Sequence, residues 1–319
     1  MRAVYASIIV ILSLVASPVL AQFDAGSIAP QLEIELKPPY PKPGEEVVAT
    51  LNDYSGGAYG ASITWVFNGR TVTEATNQRQ VTFVAGKSGV TESISVVLSK
   101  PNGTSETLRK EIVPTYLDII VEPQTRVPDF YQGRALPSVG SVVNATVLID
   151  GALGASNLMY TWRVDREVVN GGPLRGGSQV TFVAPRGSGG VLSLQVNRLD
   201  GTTVANRAVL LPTVSPEIHF YEVSTLFGQS HKTVADSFAL IGNSATIKAE
   251  PYYLDTRVYN NPTISEWQVG GQDAGQVNGS PYEVTVQRVG LTGASNLRFH
   301  VRDTKQVLQG ADASMQINF

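Results

Sequence analysis

Cysteine is absent from all 319 residues. No disulfide can staple any part of the chain, so each folding unit must rest on its apolar core alone. The same absence removes the cysteine to which a bacterial lipoprotein would be attached. Charge is sparse as well. The chain has 24 Lys and Arg against 27 Asp and Glu, a net charge of −3, and only 16% of its residues are charged. With no basic face, nucleic-acid binding has no electrostatic footing. Histidine occurs three times, as His219, His231 and His300, and never as a His-x-x-x-His pair that would hold a metal. His219 and His300 alternate outward from strands and read as solvated. Helical periodicity is missing, and beyond the N-terminus no apolar run reaches the roughly 20 residues that cross a bilayer. Glycine-rich stretches such as Gly171-Gly172 and 185–190 do not lead into helices, so they read as turns and not as phosphate cradles. No cofactor is called for.

The first segment is an address. Arg2 supplies a small positive region, residues 8–15 are continuously apolar apart from Ser13, and Val19-Leu20-Ala21 places small or short residues before a cut at Gln22. Residues 1–21 therefore read as a signal peptide. The alternative is an uncleaved anchor, for which residues 3–20 are a little short. The protein is expected to be exported: periplasmic, at the cell surface or secreted. It would touch a membrane only if the N-terminal segment stays uncleaved. Abundant Gly, Ser, Thr, Asn and Val suit an exported β protein. A short leader without a lipoprotein cysteine points to a bacterial source.

The most informative string occurs twice. Gln80-Val81-Thr82-Phe83-Val84-Ala85 recurs 99 positions later as Gln179-Val180-Thr181-Phe182-Val183-Ala184. Trp65 and Trp162 precede the two copies, and the third tryptophan, Trp267, opens a weaker third copy with Val286 at the phenylalanine place. A period near a hundred residues is the size of one β-sandwich. Alternating runs such as Leu32, Ile34, Leu36 and Val47, Ala49, Leu51 recur in each unit, separated by turn signals including Asn68-Gly69 and Asp200-Gly201. A turn glycine, Gly44, Gly140 or Gly242, precedes each tryptophan by 21, 22 or 25 residues. The expectation is an all-β chain of three tandem sandwiches after the signal peptide, at residues 22–114, 115–213 and 214–319. Trp65, Phe83, Trp162, Phe182 and Trp267 are its expected core residues, because one large ring per unit spans the gap between sheets. Pro114 and Pro212 mark short, stiff joints, which imply a semi-rigid rod.

Trp65-Val66-Phe67-Asn68-Gly69, then Val81-Thr82-Phe83, Gly89 and residues 93–98, resemble the PKD-type and bacterial Ig-like repeats of exported surface proteins. The resemblance covers about 30 residues per unit and is best in the first two. It implies Ig-like sandwiches of the kind found as stalks, spacers and adhesion or sugar-binding units. The acidic turn of that pattern is Asn68-Gly69 or Asp165-Arg166 here, which departs from any calcium-binding version.

Catalytic patterns are wanting. Gly228-Gln229-Ser230-His231-Lys232 lacks the second glycine of a nucleophile elbow and reads as a polar loop. Asp and Glu are scattered. Two tyrosine-rich connections stand out, at residues 52–60 with Tyr54 and Tyr59, and at residues 250–262 with Tyr252, Tyr253 and Tyr259. Tyrosine among Gly and Asn is the chemistry of adaptable contact loops, and its ring can stack on sugars. The plainer reading is turn residues covering a sandwich end. Residues 222–242 are longer than their counterpart in the first unit and are expected to form a hairpin or an extra edge strand. The functional expectation is a non-enzymatic structural or adhesive protein contacting an envelope protein or glycan. The alternatives are a subunit of a surface fibre or secretion assembly, and a carbohydrate-binding accessory module of a secreted hydrolase.

Overall fold

The computed structural model describes residues 32–150, 154–169, 171–275, 279–288, 290 and 292–319. The signal peptide assigned to residues 1–21 lies outside them. Among the described residues, six sheets pair face to face around three separate apolar clusters. We call the pairs the first, second and third sandwich.

In the first, β1 (Leu32–Lys37), β2 (Glu46–Asp53) and β5 (Gln80–Val84) form one sheet. β3 (Ser62–Phe67), β4 (Arg70–Thr71), β6 (Glu92–Ser99) and β7 (Ser105–Ile112) form the other. The second repeats this order with β8 (Leu117–Pro123), β9 (Val142–Ile149) and β13 (Gln179–Val183) facing β10 (Met159–Val164), β14 (Gly190–Asn197) and β15 (Thr203–Leu211). Two short strands, β11 (Glu167–Val168) and β12 (Leu174–Arg175), flank β10. In the third, β16 (Glu217–Ser224), β17 (Gly228–Val234), β19 (Ser244–Tyr252) and β22 (Glu283–Gln287) face a second sheet. That sheet holds β18 (Ser237–Ala239), β20 (Ile264–Val269), β21 (Gln272–Ala274), β23 (Ala294–Arg302) and β24 (Gly310–Asn318). One short helix, α1 (Thr256–Asn260), follows β19.

Alternation decides which side chains enter the cores. Leu32, Ile34 and Leu36 on β1 are buried between less buried neighbours, as strand geometry requires of a half-buried sheet. Trp65, Trp162 and Trp267 are buried, with Phe83, Phe182 and Val286. Each indole N–H also donates to a backbone carbonyl ahead of the phenylalanine strand or its counterpart: Gln78 at 2.9 Å, Gly177 at 2.8 Å and Pro281 at 3.2 Å. Buried apolar area and a satisfied N–H thus hold each ring in one place. Asn68, at φ 48°, opens a tight turn with Gly69, and its side-chain Oδ1 accepts the Ser93 N–H at 2.9 Å. Asp165, at φ 56°, does the same for Val191 at 2.9 Å. The polar turn residue therefore ties each hairpin to the next strand.

Two expectations need correction. Gly44 and Gly140 adopt φ of 77° and 85°, whereas Gly242 sits in a bend outside the left-handed region, so the third unit has no equivalent glycine turn. Gly228-Gln229-Ser230-His231-Lys232 is not a loop: it lies in β17, the edge strand of the hairpin with β16 that the length of residues 222–242 led us to expect. Pairing with β16 supplies a partner for backbone groups that polar composition alone would leave to water.

Candidate contact site

The two tyrosine-rich connections have opposite fates. In the first sandwich, β2 runs away from Pro41, which meets Thr115 at the joint with the second sandwich, so the connection from β2 to β3 leaves the opposite end of that strand. Asp53 folds it. Its carboxylate accepts the backbone N–H groups of Ser55 (3.2 Å), Gly57 (3.0 Å) and Ala58 (3.0 Å). The Ala58 N–H foremost holds that carboxyl below the usual range. Ala58 is buried in the first core and anchors the loop, while Tyr54 and Tyr59 on either side are 69% and 90% exposed. The result is two open phenol rings on a hydrogen-bonded, core-anchored loop.

Tyr252, Tyr253 and Tyr259 are not on an open loop. Residues 124–141, the connection from β8 to β9 in the second sandwich, reach across and pack against them. Tyr252 is buried, at 5.4 Å edge-to-face with Tyr131, and its hydroxyl meets that of Tyr221 at 2.6 Å. The Tyr253 hydroxyl meets that of Tyr131 at 2.9 Å. That bond, and burial after it, pushes the Tyr253 phenol up to about 12. Tyr259 stacks on Tyr282 at 4.6 Å, with the Arg126 guanidinium 5.1 Å from its ring centre. The sequence carried no mark of this, because Tyr131 lies 121 residues before Tyr252.

The joint so formed is hydrogen-bonded throughout. Arg126 N–H donates to Leu254 at 2.7 Å, Tyr253 N–H returns to Arg126 at 2.7 Å, and Thr256 N–H donates to Gln124 at 2.9 Å. Asp255, fully buried, accepts the Val142 N–H of the second sandwich at 2.9 Å. It also accepts from Arg257 and caps α1. Burial pushes its carboxyl up, but the Arg257 guanidinium and the Val142 N–H outweigh that and hold it below the ordinary aspartate value. Gln309, also fully buried, accepts the Asp255 N–H at 2.8 Å and donates to Ser138 (2.9 Å) and the Val139 carbonyl (2.7 Å). Arg126 bonds the buried Glu250 at 3.2 Å, and Lys248 lies 2.8 Å from the same carboxylate. The joint between the first and second sandwiches is thinner. Thr115 N–H donates to Pro41 at 3.0 Å, and Lys42 sits 5.3 Å from the centre of the Tyr116 ring.

The histidines are dispersed. His219 bonds Glu217 at 3.1 Å, His231 stacks on Phe130 at 4.5 Å, and His300 is partly buried on the outer face of β23. Among the described residues, no three His, Cys, Asp or Glu side chains converge on a space fit for a metal ion. No helix there is long and apolar enough to cross a membrane.

The order of strands 1, 2 and 5 in one sheet and 3, 4, 6 and 7 in the other, with an indole on the third strand, makes this an all-β chain of tandem Ig-like sandwiches. No family of known proteins matches the sequence, and no curated protein matches it. Among solved structures, it is similar to SGBP-B of the Bacteroides ovatus mixed-linkage glucan utilization locus, in complex with a mixed-linkage heptasaccharide. Identity is 13% and the TM-score 0.23, over 86% of this chain and 63% of that one, less than two thirds of its length. It is also similar to the fibronectin(III)-like modules of Clostridium thermocellum CbhA, at 12% identity and TM-score 0.28, over 57% of this chain and 94% of that one. A third is the three N-terminal domains of the bacteriophage RB49 highly immunogenic outer capsid protein, at 13% identity and TM-score 0.25, over 90% and 97% of the two chains. At such TM-scores these likenesses carry no argument about function.

Proposed function

We propose that the chain is an exported, non-catalytic protein of the cell envelope. Its Ig-like units, at residues 22–114, 115–213 and 214–319, space and present contact surfaces to a protein or glycan partner. The observation that carries this is the joint between the second and third sandwiches. Asp255, Glu250 and Gln309 are buried there with partners from the neighbouring sandwich or its connecting segment. Burying such groups carries a desolvation cost that their partners across the joint must offset, which fits two sandwiches held in one orientation. Tyr54 and Tyr59 at the opposite end supply the contact chemistry: rigid amphipathic rings that lose little entropy on binding.

Fractionation of the native cell, with N-terminal sequencing of the recovered protein, tests export. A glycan array and capture of envelope proteins test the contact role. Binding that weakens in the Tyr54→Ala/Tyr59→Ala variant supports it. Recovery from the cytoplasm with an intact Met1, or turnover of a polysaccharide or peptide by the pure protein, overturns it.

A further inference from the structure

The repeated string is more alike than its folding requires. Val81, Phe83 and Ala85 are buried in the first core, and Val180, Phe182 and Ala184 in the second. Gln80, Thr82 and Val84 face outward and are exposed, as are Gln179, Thr181 and Val183, yet these too are identical. Outward positions on neighbouring strands have diverged. By pairing register, Val48 answers to Asn144, Asn52 to Leu148, Val66 to Arg163 and Val97 to Gln195. Common origin alone would have kept those positions equally well.

One side of each of these strands has no partner. β5 pairs only with β2, and β13 only with β9. Leu51 N–H donates to Arg79 at 2.8 Å and Ala85 N–H to Glu45 at 2.9 Å. That phase turns the backbone of Val81 and Phe83 towards β2, and leaves the N–H and C=O groups of Gln80, Thr82 and Val84 along the free edge. Val147 N–H to Ser178 and Ala184 N–H to Ser141 set the same phase in β13, so the backbone groups of Gln179, Thr181 and Val183 are free there. Open edges are ordinarily guarded by charge, proline or a bulge. Among the described residues, the other edge strands longer than three residues are β1, β7, β8, β15, β17 and β22, and each carries a charged side chain. β5 and β13 carry none, contain no proline and pair without a break in register. β22, their counterpart in the third sandwich, has Glu283 where they have glutamine.

Three donors and three acceptors in a line, repeating about every 7 Å, match the backbone of an extended polypeptide, whereas sugar hydroxyls keep no such spacing. We propose that β5 and β13 are twin docking edges for an extended, uncharged segment of a partner protein, which adds to each sheet as a fourth strand. One row of its side chains lies beside the Gln, Thr and Val, and the other turns towards the gap between the sheets. In the second sandwich this gap holds a hollow of about 560 Å³ with Val164, Val169 and Phe182 on its apolar wall, and with Arg166, Glu167 and Arg186 around it. In the first, Phe67 stands where the second has Val164 and packs on Phe83 at 4.5 Å. The second edge therefore takes the larger apolar side chain. This goes beyond the spacing-and-contact reading, which rests on the joint and on Tyr54 and Tyr59 and holds whether or not these edges are used.

The probe is a displayed library of peptides about ten residues long, alternating apolar with uncharged polar residues and selected on the full chain. Titration calorimetry of a selected peptide should show two bound per wild-type chain. Thr82→Pro and Thr181→Pro should each leave one, and the double variant none. Proline at these positions deletes an N–H of the free edge and no bond to β2 or β9. Circular dichroism checks the fold. Should a proline variant not fold, Thr82→Lys and Thr181→Lys charge the edge as other edges are charged, and each should weaken its site by about tenfold or more. Bound peptide should also slow amide exchange at Gln80, Thr82, Val84, Gln179, Thr181 and Val183. The proposal is overturned by a library that yields no binder, by unchanged binding to a folded double variant, or by protection confined to other amides. It is equally overturned if the wild type gains mass with concentration and the double variant does not, since the edges would then pair with a second copy of the chain.

Discussion

Replacing Asp255 with alanine isolates the joint better than any other single change. The carboxylate is fully buried and accepts hydrogen bonds from the Val142 N–H and from both the backbone N–H and the guanidinium of Arg257. Its removal leaves the Val142 N–H buried without an acceptor, worth about 1–3 kcal/mol. It removes the N-cap of α1, worth about 1 kcal/mol. The ion pair with Arg257, whose side chain is more than half exposed, adds less than about 1 kcal/mol. The total is about 2–5 kcal/mol, or on the order of 10 °C in the melting of a unit of some 200 residues. Differential scanning calorimetry of the whole chain should show this loss in a transition shared by the second and third sandwiches. The transition of the first sandwich should stay where it was, because its joint has no part in the network. Acidity adds a second signature. Asp255 has a folded pKa below its unfolded one, so its stabilisation is fully present above the ordinary aspartate value of about 3.9 and is lost as pH falls through the lower folded value. Asp255→Ala should remove that part of the acid sensitivity. A shift under about 2 °C, or an equal shift in the first sandwich, would refute the idea that this carboxylate locks two sandwiches together.

Other perturbations read other parts of the molecule. Trp162→Ala should destabilise the second sandwich by about 3–5 kcal/mol in denaturant unfolding, through the cavity and the orphaned Gly177 carbonyl; a fully stable variant would contradict its core role. Arg126→Met leaves Glu250 with Lys248 as its remaining cation and should cost about 2–3 kcal/mol in the same calorimetric transition, at the low end for a buried pair because Arg126 is partly solvated. Asp53→Ala should speed hydrogen exchange at Ser55, Gly57 and Ala58 without moving the first sandwich's core amides; unchanged exchange would mean that the carboxylate does not order the loop.

Much of the fold is written locally. A buried strand face needs only alternating apolar residues, so β1, β2 and their counterparts can be found from neighbours two positions apart. Tight turns announce themselves through Asn68-Gly69, where a positive φ is cheap. The extra length of residues 222–242 already pointed to a hairpin or added edge strand, and β17 is that strand; only the polar run Gly228–Lys232, read as a loop, hid which residues pair, because an edge strand with water on one side has no apolar alternation. Gly242 looked like Gly44 by position, yet it sits in a bend and lacks the positive φ that Gly44 adopts.

The repeat of Gln-Val-Thr-Phe-Val-Ala behind a tryptophan determined by itself that this cysteine-free chain would build Ig-like sandwiches. The physical cause is short-range: strand alternation and one ring large enough to fill the space between two sheets. Only the tertiary structure decided which tyrosines meet solvent. Tyr54 and Tyr59 flank an alanine that their own loop buries, whereas Tyr252 and Tyr253 are covered by a segment more than a hundred residues earlier in the chain. Contacts across that separation depend on how whole sheets are placed, and no local pattern in the chain expresses that placement.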